Sequence, residues 1–77
     1  MNSQINNKKS ICVVGAGHWG KNHIKTLQTL GVNIGVVEKE KKIREELSSM
    51  YHNCKIHKNI NEALKFGYDG FTIATPA

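Results

Sequence analysis

The sequence predicts an α/β fold, in which a parallel β-sheet carries helices on its faces. Three short apolar segments have the length and composition of buried strands, namely residues 11–14, 32–37 and 71–74, and a further short strand fits residues 54–57. Three segments with helical spacing of their apolar residues lie between them, at 18–30, 40–51 and 60–67. Because right-handed crossovers join parallel strands, this alternation predicts the sheet order 3-2-1-4. That is the order of the first mononucleotide-binding half of a Rossmann-type fold.

A glycine motif separates the first strand from the first helix. Gly15, Gly17 and Gly20 stand at the G-x-G-x-x-G spacing, directly after the apolar run that ends at Val14. In a dinucleotide-binding βαβ unit the first glycine allows a sharp turn, the second leaves room for a pyrophosphate, and the third lets the helix pack closely. The unpaired N–H groups of the first helical turn then face the phosphates. A glycine-rich turn can also be purely structural, but the flanking strand and helix favour nucleotide binding.

The first helix is predicted from one apolar face and a clear end. Gly20, Ile24 and Leu27 recur at helical spacing, so they should face the sheet. Gly31 follows Leu30 directly, and glycine in this position is typical of a helix end.

The second strand ends at an acidic residue. Glu38 follows its apolar run about twenty positions after the glycine motif, where a dinucleotide site places a carboxylate. There it accepts hydrogen bonds from the adenosine ribose and repels the extra phosphate of NADP, which favours NAD. Lys39, Lys41 and Lys42 could instead hold a 2′-phosphate, so NADP stays open as the cofactor. The alternative is that Glu38 is a surface residue at the start of a charged helix and binds no ligand.

The second and third helices are predicted from weaker signals. Ile43, Leu47 and Met50 form one apolar face in the second, with charged residues elsewhere. Asn59 offers an N-cap to the third, with Glu62 three residues on as in a capping box. The apolar positions of that helix are Ile60, Ala63, Leu64 and Phe66.

Length and composition suit part of a larger soluble protein. With 77 residues, 39% of them hydrophobic and 22% charged, the chain has room for one small domain. We expect a flexible polar tail at residues 1–8 and an incomplete dinucleotide-binding domain at 9–77, since a complete one needs two halves. No apolar run approaches the length of a membrane helix, and the N-terminus lacks the features of a signal peptide. These observations predict a cytoplasmic protein without a membrane partner.

Other classes of site lack their signatures. The net charge of +5 could suit nucleic acid, but Lys39, Lys41, Lys42 and Arg44 alternate with glutamates, which predicts a solvated helix face, and no aromatic platform accompanies them. Cys12 and Cys54 read as reduced thiols rather than as a disulfide framework. His52, Cys54 and His57 do not complete a tetrahedral ligand set, so we expect no metal site. No feature of the sequence brings together a Ser-His-Asp triad or a Cys-His pair for nucleophilic catalysis.

Three segments together resemble the N-terminal region of the Gfo/Idh/MocA oxidoreductases. Residues 15–23 read Gly-Ala-Gly-His-Trp-Gly-Lys-Asn-His, residues 36–38 read Val-Val-Glu, and residues 73–77 read Ile-Ala-Thr-Pro-Ala. The family includes glucose–fructose oxidoreductase, inositol dehydrogenase and several nucleotide-sugar dehydrogenases. The resemblance covers nearly the whole chain from Lys9 onward.

The resemblance implies an activity and a set of cofactor-binding residues. The activity is hydride transfer between NAD(P) and a hydroxyl-bearing carbon of a sugar, nucleotide sugar or cyclitol. The full-length protein would carry a second α/β domain for this substrate and would be a homo-oligomer. The residues placed against the pyrophosphate are Gly15, Ala16, Gly17, His18, Trp19 and Gly20. Glu38 is placed beside the adenosine ribose, with Lys39 next to it as a further cofactor-binding candidate, and the residues along the cofactor toward the nicotinamide are Ala74, Thr75 and Pro76.

No catalytic residue is assigned within this chain. The catalytic lysine of the family stands in a Glu-Lys-Pro motif after the next strand, which lies beyond these 77 residues. The leading hypothesis is therefore the cofactor-binding segment of a dehydrogenase. The alternatives are a non-catalytic nucleotide-binding or regulatory module of the same fold and a structural fragment without a ligand.

Overall fold

A computed structural model of the chain describes residues 9–15 and 18–74, with the backbone alone for His18 and Trp19. The tail expected at residues 1–8 lies outside this part. The elements, in chain order, are β1 (Ser10–Val14), α1 (His18–Leu30), β2 (Asn33–Val37), α2 (Lys41–Met50), β3 (Lys55–His57), α3 (Ile60–Phe66) and β4 (Gly70–Ile73). Each predicted element is present, with ends that differ by only one or two residues.

The four strands form one all-parallel sheet in the order β3-β2-β1-β4. This confirms the predicted α/β class and strand order. The central strand β1 pairs with β2 on one side and β4 on the other, with Val13 opposite Val36 and Thr72. Strand order therefore changes direction between β1 and β4.

The helices cover opposite faces of this sheet. Ile24 of α1 and Leu47 of α2 are fully buried in one cluster with Val13 and Val36. Ala63 of α3 belongs to a second buried cluster, which also contains Cys12 and Val37. Since neighbouring residues of a strand point to opposite faces, α3 lies on the face that α1 and α2 leave open.

The ends of the helices follow the predicted signals. Gly31 and Gly67 have positive φ angles of 74° and 85°, directly after α1 and α3, and Gly67 is the C-cap of α3. Asn59 caps α3, because its Oδ1 accepts a hydrogen bond from the Glu62 N–H at 3.0 Å. The Glu62 carboxylate reaches back to the N–H of Lys58 at 3.1 Å, one residue earlier than in a regular capping box.

Four of the apolar helix positions predicted to face the core are exposed, which corrects the sequence analysis. They are Met50, Ile60, Leu64 and Phe66. Met50 is the last residue of α2, and the core contact is made one turn earlier by Leu47. The helix α3 has only seven residues and buries Ala63 alone. On the same face of the sheet, Phe71 and Ile73 of β4 are also exposed.

Candidate functional site

The carboxyl ends of the three neighbouring strands β2, β1 and β4 are joined by hydrogen bonds. The N–H of Gly15, after β1, donates to the carbonyl of Val37 at 2.8 Å. The N–H of Ala74, after β4, donates to the carbonyl of Val14 at the same distance. Three predicted site residues, Gly15, Glu38 and Ala74, thus meet at one edge of the sheet. This edge contains the point at which strand order reverses, where open parallel sheets bind their ligands.

The turn after β1 requires glycine at its first position. Gly15 has φ 88°, a backbone conformation that a side chain disfavours. The helix α1 begins at His18, and Gly20 in its first turn is buried. The helix α1 thus begins four residues after the last residue of β1, and a helix N-terminus carries unpaired N–H groups and partial positive charge.

Glu38 is buried at the end of β2, with 7% of its surface exposed. Its N–H donates to the carbonyl of His57 at 2.9 Å, which continues the pairing of β2 with β3. Its Oε2 accepts a hydrogen bond from the N–H of Glu40 at 2.9 Å. Glu38 is therefore not a surface residue, because it is buried and both its backbone N–H and its carboxylate are hydrogen-bonded.

Arg44 is a residue of this region that the sequence analysis missed. Its Nη1 donates to the carbonyl of Glu38 at 2.9 Å and to that of Lys39 at 2.7 Å. The sequence analysis placed Arg44 on a solvated helix face, since no spacing distinguishes it from Lys41 and Lys42. Only the path of the chain through residues 38–40 brings the two carbonyls within its reach.

A buried histidine, His57, ends β3 and accepts the backbone hydrogen bond of Glu38. His57 is 4% exposed, and its Nε2 lies 2.7 Å from the hydroxyl oxygen of Tyr68. Burial lowers the pKa of His57, although the Glu62 carboxylate opposes this effect from 4.0 Å. Burial also raises the pKa of Tyr68 to about 12. The neutral imidazole and the protonated phenol therefore match as acceptor and donor.

The structure brings some of the predicted cofactor residues together and leaves others undescribed. Gly15, Gly20, Glu38 and Ala74 lie at or next to the carboxyl edge, and Lys39 is exposed beside them. The backbone of His18 and Trp19 starts α1, but their side chains are outside the described residues. Also outside are Ala16, Gly17, Thr75 and Pro76.

The cysteines and remaining histidines form no second centre in the described ranges. No group of three or more His, Cys, Asp or Glu side chains there could hold a metal ion. His52 is exposed, and its Nε2 lies 2.8 Å from the carbonyl of Ser49. Cys12 and Cys54 are free thiols, and burial raises the pKa of Cys12 to about 11. A buried thiol with a raised pKa is a poor nucleophile.

A cleft of about 450 Å³ lies at the opposite, amino edge of the sheet. Its lining includes Gln28, Asn33, Asn53 and Cys54. It is therefore separate from the edge that carries Gly15 and Glu38. No helix in the described part of the chain is long and apolar enough to cross a membrane.

Comparisons of this chain with protein-family models, with curated proteins and with solved structures found no match. Functional assignment therefore rests on the motif residues and on the geometry of the carboxyl edge.

Proposed function

We propose that this chain is the NAD(P)-binding segment of an oxidoreductase. The parent protein would transfer a hydride between the nicotinamide and a hydroxyl-bearing carbon of a sugar, nucleotide sugar or cyclitol. The observation that carries the proposal is the position of Gly15, Glu38 and Ala74 directly after three neighbouring strands, at the carboxyl edge where strand order reverses. The sugar-like substrate rests on the resemblance to the Gfo/Idh/MocA oxidoreductases alone.

Each part of this edge has a role in holding the cofactor. The turn at Gly15 and the N-terminus of α1 would receive the pyrophosphate, because unpaired N–H groups and the helix dipole stabilise negative charge. Glu38 would accept hydrogen bonds from the ribose hydroxyls of the adenosine half. Ala74, at the end of β4, would lie along the cofactor toward its nicotinamide, which supplies or accepts the hydride. The order of the four strands is that of the first four strands of a dinucleotide-binding domain, its first three-stranded half and the strand that follows.

The buried carboxylate favours NAD over NADP. A negative charge held at this place repels the 2′-phosphate of NADP, whereas the ribose hydroxyls of NAD can donate to it. Lys39, Lys41 and Lys42 are exposed next to it and favour the opposite choice, since they could approach a phosphate. We propose NAD because Glu38 is fixed by several hydrogen bonds, whereas these lysine side chains are exposed to solvent.

Direct titration with NADH and NADPH tests this proposal. Energy transfer from Trp19, the only tryptophan, to the reduced nicotinamide reports binding. We expect NADH to bind more tightly than NADPH. Glu38→Gln should weaken NADH by about tenfold, because hydrogen bonds to a charged group contribute roughly 1.5–3 kcal/mol. In the same variant the affinities for NADH and NADPH should differ less, since the charge that repels the 2′-phosphate is gone.

Glu45→Gln is the matched control, because Glu45 is an exposed carboxylate of α2. It should leave both dissociation constants unchanged. Failure of the wild-type protein to bind either dinucleotide would overturn the proposal. Tighter binding of NADPH than of NADH would move the cofactor assignment to the lysines after Glu38.

A further inference from the structure

The turn between β2 and α2 is held by the side chain of Arg44. Residues 38–40 connect the buried Glu38 to the first residue of α2, and the N-cap Glu40 makes no side-chain capping hydrogen bond. Arg44 donates from one nitrogen, Nη1, to the carbonyls of both Glu38 and Lys39. Its own N–H donates to the carbonyl of Glu40 at 3.0 Å. Arg44 therefore contacts each of the three residues of the turn.

The position of the Glu38 carboxylate depends on this turn. Its Oε2 is held by the N–H of Glu40, two residues later, at 2.9 Å. The Glu40 N–H can donate to this carboxylate only if the backbone at Lys39 retains its turn conformation. Because Arg44 binds the two carbonyls of the bend, it fixes the donor that orients the carboxylate.

We infer that Arg44 is a positioning residue that sets the preference for NAD over NADP by holding the turn that orients the Glu38 carboxylate. The inference rests on the proposed function, since it assigns a residue to the specificity of the same site. A guanidinium suits this role better than an ammonium, because the two N–H bonds of its planar Nη1 have fixed directions and can hold both carbonyls in one geometry. Lysine keeps the positive charge but carries it on a compact ammonium group at the end of a flexible side chain.

The charge of Arg44 and its effect on the orientation of Glu38 predict different changes in the affinities for NADH and NADPH. Positive charge near the site attracts NADPH more strongly than NADH, because NADPH carries the additional 2′-phosphate, so loss of this charge should weaken NADPH more than NADH. An oriented carboxylate favours NADH alone and repels the 2′-phosphate of NADPH. Loss of orientation therefore lowers the affinity for NADH relative to that for NADPH, whereas loss of charge alone raises it.

The test compares Arg44→Lys and Arg44→Met with the wild-type chain in the NADH and NADPH titrations. Arg44→Lys should bind NADH more weakly by about fivefold and change NADPH by less than about twofold. Arg44→Met should weaken NADH at least as much, and it also loses the charge that attracts both dinucleotides. Arg44→Lys is the informative variant, since it preserves net charge. Lys65→Met, which removes an exposed cation from the last turn of α3, controls for net charge and should leave the ratio unchanged.

Amide hydrogen exchange of Glu40 gives a measurement that needs no nucleotide. In the wild-type chain this N–H is bound by Glu38, and both Arg44 variants should exchange it faster by about tenfold or more. Thermal unfolding of each variant checks that the fold is intact at the temperature of the titration.

The outcomes separate the inference from the proposed function. NADH binding by the wild type with an unchanged affinity ratio in both variants would overturn the inference and leave the proposed function standing. An unchanged Glu40 exchange rate in both variants would also overturn it. If the wild type binds neither dinucleotide, the proposed function fails and the specificity role fails with it, whatever the exchange rates show.

Discussion

His57 owes its burial to a close fit between Tyr68 and β2. The ring of Tyr68 lies where a side chain at position 35 would stand, and Gly35 leaves that space open. The phenol then reaches Nε2 of His57, and the ring of Phe66 lies 5.5 Å from the imidazole. The imidazole is thus enclosed by aromatic groups and by the strand that carries Glu38.

This environment predicts a dependence of stability on pH. Burial lowers the pKa of His57 below its ordinary value, with Glu62 opposing the shift and Lys55 adding to it. Between the two pKa values the unfolded chain binds more protons than the folded one, so stability rises with pH in that window. The free energy of unfolding should therefore fall as pH is lowered from about 7 through about 6.5 to the lowered pKa.

Urea unfolding at a series of pH values measures this effect. His57→Gln should reduce the slope of stability against pH over that window, whatever its effect on absolute stability. His23→Gln provides the control, because His23 is exposed on α1. Equal slopes in the wild type and in His57→Gln would contradict the role assigned to this imidazole.

Among the elements, α3 depends most on its cap because it is short. It has seven residues and one buried side chain, so burial stabilises it little. Asn59 accepts the N–H of Glu62 at the start of the helix. Replacing such a cap by alanine costs about 1 kcal/mol. We expect Asn59→Ala to lower the free energy of unfolding by that amount in urea titrations.

Asn61→Ala is the control for this change. Asn61 is exposed in the first turn of α3 and is not the cap, so alanine there should be neutral or slightly stabilising by helix propensity. Equal destabilisation by both substitutions would show that the loss comes from the asparagine side chain in general rather than from capping.

The elements were predictable from sequence to the extent that their signals are local. Apolar runs, the helix stop at Gly31 and the cap at Asn59 are read from neighbouring residues, and strand order follows from the right-handed crossover. Contacts between distant residues could not be predicted in this way. Arg44 and Tyr68 make hydrogen bonds 5 to 11 residues away in sequence, and nothing in their local pattern distinguishes them from a surface cation and a loop aromatic.

The burial of helix faces was the least predictable feature for the same reason. Helical spacing shows which residues share a face, but not how far the sheet extends beneath it. The spacing grouped Leu64 and Phe66 with Ala63, and only Ala63 is buried. The cofactor-binding roles of Ala16, Gly17, Thr75 and Pro76 stay predictions, and these four residues are outside the described part of the chain.

At the scale of the molecule, most of the exposed large apolar side chains among the described residues belong to α3 and β4, namely Ile60, Leu64, Phe66, Phe71 and Ile73. Phe66 stacks on Tyr68 with ring centres 4.8 Å apart, and Tyr68 lies 5.9 Å from Phe71 of β4. Ile73 stands two residues further along the same face. Within the described residues β4 pairs with β1 alone, so its outer edge also presents unpaired backbone groups. An apolar face beside an open strand edge favours association between chains.

This surface predicts that the 77-residue chain associates with itself as concentration rises, and that Ile73→Lys shifts it toward monomer. Ile73 is 65% exposed, so lysine can be accommodated without disturbing the core, and a charge on an edge strand opposes pairing with another chain. Sedimentation velocity over a range of concentrations measures the shift. Leu30→Lys is the matched control, because Leu30 is 67% exposed but lies at the end of α1, away from β4. If the two substitutions change association equally, general charge repulsion explains the effect, and the β4 edge is not the contact.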